Sequence, residues 1–249
     1  MPVLPGAEPF AHDGGDVGVL LCHGFTGTPQ SLQPWARRLA DEGLSVRLPL
    51  LPGHGTTWQE MNTTTWADWY DAAQRSLDEL TSRCRAVVVG GLSMGGALAA
   101  RLAAERGADV RGLALVNPAF VTDDPRMRAL PVIKHLVPSL PGIGSDIAKP
   151  GSTELAYDRT PLKALHSFVR SRTDTVRALP AITQPLLVMH SRVDHVVPPR
   201  SSALLISRVS SKDVTEVVLE NSYHVATLDN DAPQIFAESA DFVARVTGG

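Results

Sequence analysis

The sequence is poor in cysteine, in net charge and in long apolar runs, and each scarcity excludes a class of protein. It has 2 cysteines in 249 residues, Cys22 and Cys84, too few for a disulfide framework or a cysteine-rich metal site. No apolar run approaches the about 20 residues that a membrane-spanning helix needs. The net charge of −3 provides no basic surface for nucleic acid or anionic lipid. We therefore expect no nucleic-acid partner and no integral membrane association.

The N-terminal residues 1–18 also lack a targeting pattern. They are rich in proline, glycine and acidic residues, and no basic segment followed by an apolar one is present. A cytoplasmic location is therefore expected. With 43% hydrophobic residues, the chain can bury one substantial core. We expect a single domain over residues 1–249, as a monomer or weak homodimer.

Short apolar runs alternate with amphipathic segments along most of the chain. This alternation predicts βαβ units, hence a mostly parallel, doubly wound sheet covered on both faces, an α/β fold. The predicted strands are residues 17–22, 44–49, 86–89, 110–116, 185–190 and 214–219. The predicted helices are residues 29–42, with Thr28 as its N-cap, and residues 65–81, 97–106, 200–209 and 231–246.

A proline-rich stretch between Pro118 and Pro180 breaks this alternation. Insertions of this length in a compact domain are usually functional. We interpret residues from about 120 to 178 as a cap over the carboxyl edge of the sheet. Most of its apolar side chains are expected to pack the cap onto the sheet, and the rest to line a substrate channel. These side chains are Leu130, Val132, Ile133, Leu136, Val137, Leu140 and Ile143.

The most informative motif is Gly91-Leu92-Ser93-Met94-Gly95, between a predicted strand and a predicted helix. In this context the G-x-S-x-G pattern is typical of a nucleophile elbow. The sharp reversal forces unusual backbone angles at the serine and leaves no room for β-carbons on its neighbours. The pattern predicts that Ser93 Oγ is an exposed nucleophile at the carboxyl edge of the sheet.

A serine needs a base to remove its proton and a carboxylate to orient that base. His224 follows the predicted strand that ends at Leu219, and Asp194 follows the one that ends at His190. The chain order Ser, Asp, His is that of an α/β-hydrolase triad. Asp194 also has the alternative role of a helix cap, and Asp123 and Asp124 are alternative acids. His195 is the alternative base, although it precedes the last strand.

The reaction also needs two N–H donors for the oxyanion that forms when Ser93 attacks a carbonyl. The Met94 amide lies at the start of the helix after Ser93, where the helix dipole favours negative charge. The second donor is expected in the loop His23-Gly24-Phe25-Thr26-Gly27, with the Phe25 amide best placed. The alternative reading of this loop is a tight exit turn from the strand.

Together, the His23 to Pro29 segment, Leu51-Pro52-Gly53-His54-Gly55, the Ser93 motif and the Asp194 and His224 loops resemble bacterial carboxylesterases of the α/β-hydrolase superfamily. The resemblance is greatest to the small bacterial monoacylglycerol lipases and covers nearly the whole chain. It implies an α/β-hydrolase fold with a cap insertion. In that family a cap glutamate contacts the glycerol hydroxyls, which here implies Glu154 as a substrate-binding residue, with Ile143 nearby sensing the substrate.

The residues and the resemblance together predict a serine ester hydrolase that acts on a small amphiphilic ester, such as a monoacylglycerol. No cofactor is expected. No histidine pair has zinc-site spacing, so no metal is expected either, and His54 is interpreted as a turn residue. Two alternatives remain open: a cofactor-free haloperoxidase or acyltransferase with the same triad, and a ligand receptor that binds without turnover.

Overall fold

A seven-stranded sheet forms the centre of the protein in the computed structural model, which describes residues 1–248. The sheet strands are β1 (Phe10–His12), β2 (Val17–Cys22), β3 (Ser45–Leu48), β4 (Ala86–Leu92), β5 (Gly112–Val116), β8 (Leu186–Ser191) and β9 (Val214–Leu219). Their order across the sheet is β1-β3-β2-β4-β5-β8-β9, and every neighbouring pair is parallel except β1 with β3. The strands β6 (Ser139–Pro141) and β7 (Arg159–Pro161) form a separate antiparallel pair.

Helices cover both faces of the sheet, and the core is accordingly divided into two apolar clusters. The helices are α1 (Gln33–Asp41), α2 (Trp58–Met61), α3 (Trp66–Thr81), α4 (Met94–Glu105), α5 (Leu130–Leu136), α6 (Leu162–Ala178), α7 (Arg200–Arg208) and α8 (Ala232–Thr247). One cluster contains side chains of α3, α4, α6 and α7, such as Trp69 and Leu98. The other contains side chains of α1 and α8, such as Trp35 and Phe242. Among residues 1–248, every helix is too short or too polar to traverse a lipid bilayer.

The predicted doubly wound, mostly parallel sheet is confirmed, and the differences from the sequence-based expectations are local. The antiparallel edge strand β1, the short helix α2 and the β6–β7 pair were not predicted, because each has only three or four residues and no resolvable periodicity. The helix expected from Pro29 is a 3₁₀ turn, Pro29–Ser31, followed by α1. Thr28 precedes that turn, but its hydroxyl makes no capping bond.

The segment of residues 120–178, which we call the cap segment, contains α5, β6, β7 and α6. Phe168 of α6 anchors it in the core. The expectation that most of its apolar side chains pack onto the sheet is wrong. Leu130 is buried, but Val132, Leu136 and Ile143 are 65%, 77% and 71% exposed. A short helix and hairpin joined to the sheet mainly through α6 cannot bury the outer side of the cap segment.

The turn between β4 and α4 is the tightest feature of the carboxyl edge. A Cβ on Gly95 would overlap the carbonyl oxygen of Cys22 at the end of β2, and a Cβ on Gly91 would overlap the carbonyl of Gly95. Both glycines are therefore required for α4 to begin directly against β2. The chain reverses at Ser93 with its backbone in the left-handed region, at φ 58°.

We expect Gly95→Ala to destabilise the fold by about 3 kcal/mol, because the new methyl group has no space and the obstructing atom is backbone. Chemical denaturation measures the free energy of unfolding. Gly24→Ala is the matched control, since a Cβ there would lie at ordinary contact distance, 3.6 Å from Ser93 Cβ. Equal stability of the two variants would contradict this account of the turn.

Candidate active site

Ser93 occupies the strained turn and is 8% exposed. Its φ and ψ are 58° and −117°, a conformation that non-glycine residues rarely adopt and that is typical of functional sites. The backbone is held on two sides: Ser93 N donates to Val116 O at 3.0 Å, and Ser93 O accepts from Ala97 N at 3.2 Å. The strain is therefore maintained by β5 and by the first turn of α4.

The predicted acid and base are brought together by the loops that follow β8 and β9. His224 Nδ1 lies 2.8 Å from Asp194 Oδ2, and the two side chains are only 9% and 2% exposed. Asp194 Oδ1 accepts from the amides of Val196 and Val197 at 2.8 and 2.7 Å. Asp194 thus braces its own loop and contacts His224, but it does not cap α7, whose N-cap is Pro199 without a side-chain cap bond.

Charges around His224 favour its protonated form. Burial lowers the pKa of the imidazole, but the hydrogen bond and charge of Asp194, followed by the charges of Glu154 and Asp146, outweigh burial and raise the pKa above the ordinary value of 6.5. With Nδ1 oriented by Asp194, Nε2 is the ring atom left to exchange a proton.

Val116 and Asn117, at the end of β5, link the Ser93 turn to the His224 loop. Asn117, directly after β5, donates from Nδ2 to His224 O at 2.8 Å, and its Oδ1 accepts from Ser191 N at 2.7 Å. Ser93 N is bonded to Val116, the residue before Asn117. Within residues 1–248 Ser93 Oγ has no hydrogen-bond partner, so its pairing with His224 Nε2 stays a prediction.

Two free amides lie near Ser93. Neither Phe25 N nor Met94 N donates to an acceptor within residues 1–248. Gly24 brings the Phe25 loop against Ser93. The Phe25 ring stacks on Phe168 of the cap segment, with ring centroids 6.1 Å apart. These two amides have the freedom that an oxyanion hole requires.

His23 and His54 are buried structural residues. The His23 ring lies 3.0 Å from Gly24 O through Nδ1 and accepts from Leu51 N at 3.2 Å through Nε2, so it joins the loops after β2 and β3. Burial lowers the pKa of His23 to about 4, which keeps the ring neutral. His54 Nδ1 contacts Pro52 O at 3.2 Å within its own turn.

Glu154 points from the cap segment toward the same edge. Its Oε1 lies 2.6 Å from the position that a Cβ on Gly27 would occupy, and its charge acts on His224. The carboxylate oxygens accept no hydrogen bond within residues 1–248, and burial raises the pKa of Glu154 to about 7. Ile143, by contrast, lies on the exposed outer surface of the cap segment.

The alternative acids and base have other partners. Asp123 pairs with Arg200, and Asp124 caps its own 3₁₀ turn through Arg126 N at 2.9 Å. The His195 ring packs edge-on against Tyr223 and pairs with Asp146, with 2.7 Å between His195 Nδ1 and Asp146 Oδ1.

Sequence reasoning missed Asn117 and Asp146, both of which contact the His224 loop. Asn117 had a usable signal, since it is a polar residue directly after a predicted strand. Asp146 had none, because it lies in the proline-rich insertion, where no periodicity indicates which side chains turn inward.

We expect the His224 imidazole to titrate above pH 6.5, since Asp194 and its neighbours stabilise the cation. In Asp194→Asn the midpoint should fall below that of the wild type, because burial then opposes the charge with less compensation. NMR of the histidine Hε1 protons measures both midpoints. His23 is the internal reference and should stay neutral through pH 5, about one unit above its pKa of about 4. An unchanged His224 midpoint in the variant would contradict the pairing.

Comparison with known proteins identifies the family of the chain. Residues 16–231 match the family Hydrolase_4, described as serine aminopeptidase, S33. The chain is 43% identical to a thermostable monoacylglycerol lipase from Bacillus sp. (strain H-257), over 99% of this chain and 98% of that protein. It is 23% identical to a carboxylesterase from Bacillus subtilis (strain 168), over 96% of this chain and 97% of that one.

Solved structures agree with the fold. A structure from work on the metagenome-derived lipolytic enzymes LipS and LipT superimposes with a TM-score of 0.96 at 40% identity, covering 98% of this chain and 100% of that chain. The monoacylglycerol lipase of Paleococcus ferrophilus shares the fold, with a TM-score of 0.79 at 19% identity, over 96% of this chain and 99% of that one. This chain therefore belongs to the Hydrolase_4 family and is a hydrolase with the α/β-hydrolase fold.

Proposed function

We propose that the protein hydrolyses carboxylic esters of an amphiphilic type, with monoacylglycerols as the favoured class, through Ser93, His224 and Asp194. The observation that carries the proposal is the Asp194–His224 hydrogen bond of 2.8 Å, at the sheet edge where the strained Ser93 turn lies. A buried acid–imidazole pair at the same sheet edge as a serine in this conformation supports activation of that serine.

In the first half of the reaction, Ser93 Oγ attacks the ester carbonyl carbon while His224 Nε2 takes the proton of the Ser93 hydroxyl. The carbonyl oxygen becomes an oxyanion, which accepts hydrogen bonds from the Phe25 and Met94 amides. Asp194 holds the imidazole orientation and stabilises the imidazolium. Collapse of the intermediate breaks the bond to the alcohol oxygen, which receives the proton from His224, and leaves an acyl ester on Ser93.

In the second half, His224 takes a proton from water as the water oxygen attacks the acyl carbon. The same two amides bind the second oxyanion. Its collapse breaks the bond to Ser93 Oγ, which regains the proton from His224, and the carboxylic acid leaves.

The environment of Glu154 supports glycerol as the alcohol part of the ester substrate. Its carboxylate is turned inward beside Gly27, is free of hydrogen bonds within residues 1–248 and is close enough to influence His224. An acceptor left open in this way suits the hydroxyl donors of a glycerol group. The 43% identical relative carries the name of a monoacylglycerol lipase, in agreement with this choice of substrate.

The outer surface of the cap segment supports the amphiphilic character of the substrate. Val132, Leu136 and Ile143 are each more than half exposed. Exposed large apolar side chains concentrated in one segment are typical of surfaces that meet apolar partners. Ile143 is thus proposed to meet the acyl chain as it approaches the cap rather than after it is enclosed.

Ser93→Ala is expected to lower kcat for p-nitrophenyl butyrate by about a millionfold, because the nucleophile is removed while binding groups remain. Initial rates, together with covalent labelling by a fluorophosphonate, measure the loss. Ser207→Ala, on the exposed side of α7, should retain both rate and labelling. A variant without Ser93 that still hydrolyses the ester would overturn the proposal.

Glu154→Gln is expected to lower kcat/KM for 1-monolaurin by about tenfold, the value of a hydrogen bond to a charged group, and to leave methyl laurate unchanged. The two substrates share the acyl chain and differ in the glycerol hydroxyls. Rates are compared on the plateau above the acid limb of each variant's pH profile, so that a change in the pKa of His224 does not enter the comparison. Glu8→Gln, at an exposed position, is the control. Equal losses on both esters would remove the glycerol-binding role.

A further inference from the structure

A carboxylate of the cap segment, Asp146, lies between the loops that carry the proposed acid and base. Its Oδ2 accepts from the amides of His224 and His195, each at 3.1 Å. Its Oδ1 lies 2.7 Å from His195 Nδ1, and its carbonyl oxygen accepts from Val225 N at 3.1 Å. One residue of the cap segment therefore contacts both loops at once.

Because the Asp146 carboxylate is buried, the loss of these contacts would be costly. The Asp146 side chain is 11% exposed, whereas that of its partner His195 is 57% exposed. A buried carboxylate that lost its donors would carry a desolvation penalty, so these contacts hold the cap segment and the two loops together.

A second carboxylate, on the loop after β9 that carries His224 (the base loop), binds amides of the cap segment. Asp229 is 1% exposed and accepts from Ala148 N and Lys149 N of the cap segment at 2.7 and 2.8 Å. It also accepts from Tyr223 N at 2.8 Å. The amides of residues 223, 224 and 225 are thus held in turn by Asp229, the Asp146 side chain and the Asp146 carbonyl.

We propose that Asp146 is a positioning residue, which makes the docking of residues 144–150 and the placement of the His224 imidazole a single event. This inference rests on the proposed role of His224 as the general base. Displacement of the cap segment removes the acceptors of the amides of His224 and Val225, so the base is correctly placed only beneath a docked cap. Asp146 touches no reacting atom and acts through His224.

The charge of Asp146 has a separate effect from its hydrogen bonds. The ionisable groups facing His224 are Asp194 after β8, Glu154 and Asp146 of the cap segment, and all three raise the pKa of the imidazole. His195 is the ionisable partner that faces Asp146 itself. Removing the Asp146 charge while keeping its shape should therefore move the acid limb of the pH profile to lower pH.

The test is Asp146→Asn, in the full chain. We expect kcat/KM for p-nitrophenyl butyrate to fall by about tenfold to a hundredfold through kcat, as for a displaced catalytic group. The acid limb should move to lower pH, and hydrogen exchange of the amides in residues 144–150 and 223–225 should accelerate together. Asp158→Asn is the matched control, since this exposed aspartate of the cap segment makes no side-chain hydrogen bond within residues 1–248. It should match the wild type in every readout.

The outcomes separate the inference from the proposed function. A folded Asp146→Asn protein with wild-type exchange in both segments and a wild-type acid limb overturns the positioning role. If the wild-type protein hydrolyses no ester, the proposed function fails, and the exchange measurement still decides whether Asp146 couples the two segments. Should Asp146→Asn not fold, Asp146→Glu keeps the charge and displaces the acceptor, and faster exchange in both segments supports the role while unchanged exchange refutes it.

Discussion

The close approach of α4 to β2 is the constraint on which the site depends. No side chain fits between Gly95 and the carbonyl of Cys22, so the helix begins at once after β4 and the chain reverses in a single residue. That reversal forces Ser93 into the left-handed region and raises its side chain above the sheet. The same approach places the loop after β2, with its free Phe25 amide, beside the serine. The proposed nucleophile and its proposed oxyanion donors thus both depend on one packing contact.

Acceptors that hold backbone amides organise the rest of the carboxyl edge. Asp194 fixes the loop after β8 through two amides while it orients the imidazole. Asp146 and Asp229 bind successive amides of the loop that carries His224. Asn117 donates to the carbonyl oxygens of Tyr223 and His224 in the same loop. Loops that carry buried backbone need such partners, because an unpaired amide or carbonyl away from water is costly. Here the partners that satisfy the loops also hold His224, the proposed base.

The places of the candidate residues follow from the sequence, because they depend on local signals. The glycine spacing around Ser93, and polar residues that follow predicted strands, indicate Ser93, Asp194 and His224 as candidates from the sequence alone. The fold class followed from the alternation of apolar runs and amphipathic segments. The strand β1 was missed because three residues carry no period. Asp146 was missed because its partners are distant in sequence, and no pattern within an irregular insertion reveals which carboxylate turns inward.

The outer surface of the cap segment was misjudged because apolar composition does not distinguish a buried side chain from one awaiting an apolar partner. Leu136, at 77% exposed, and Ile143, at 71%, face outward on the same segment that carries Asp146. An apolar partner that covered this surface would bind the same segment whose Asp146 accepts from the His224 amide. Adsorption there would then bear on rates recorded with dispersed lipid, because the exposed apolar side chains and Asp146 share one stretch of chain.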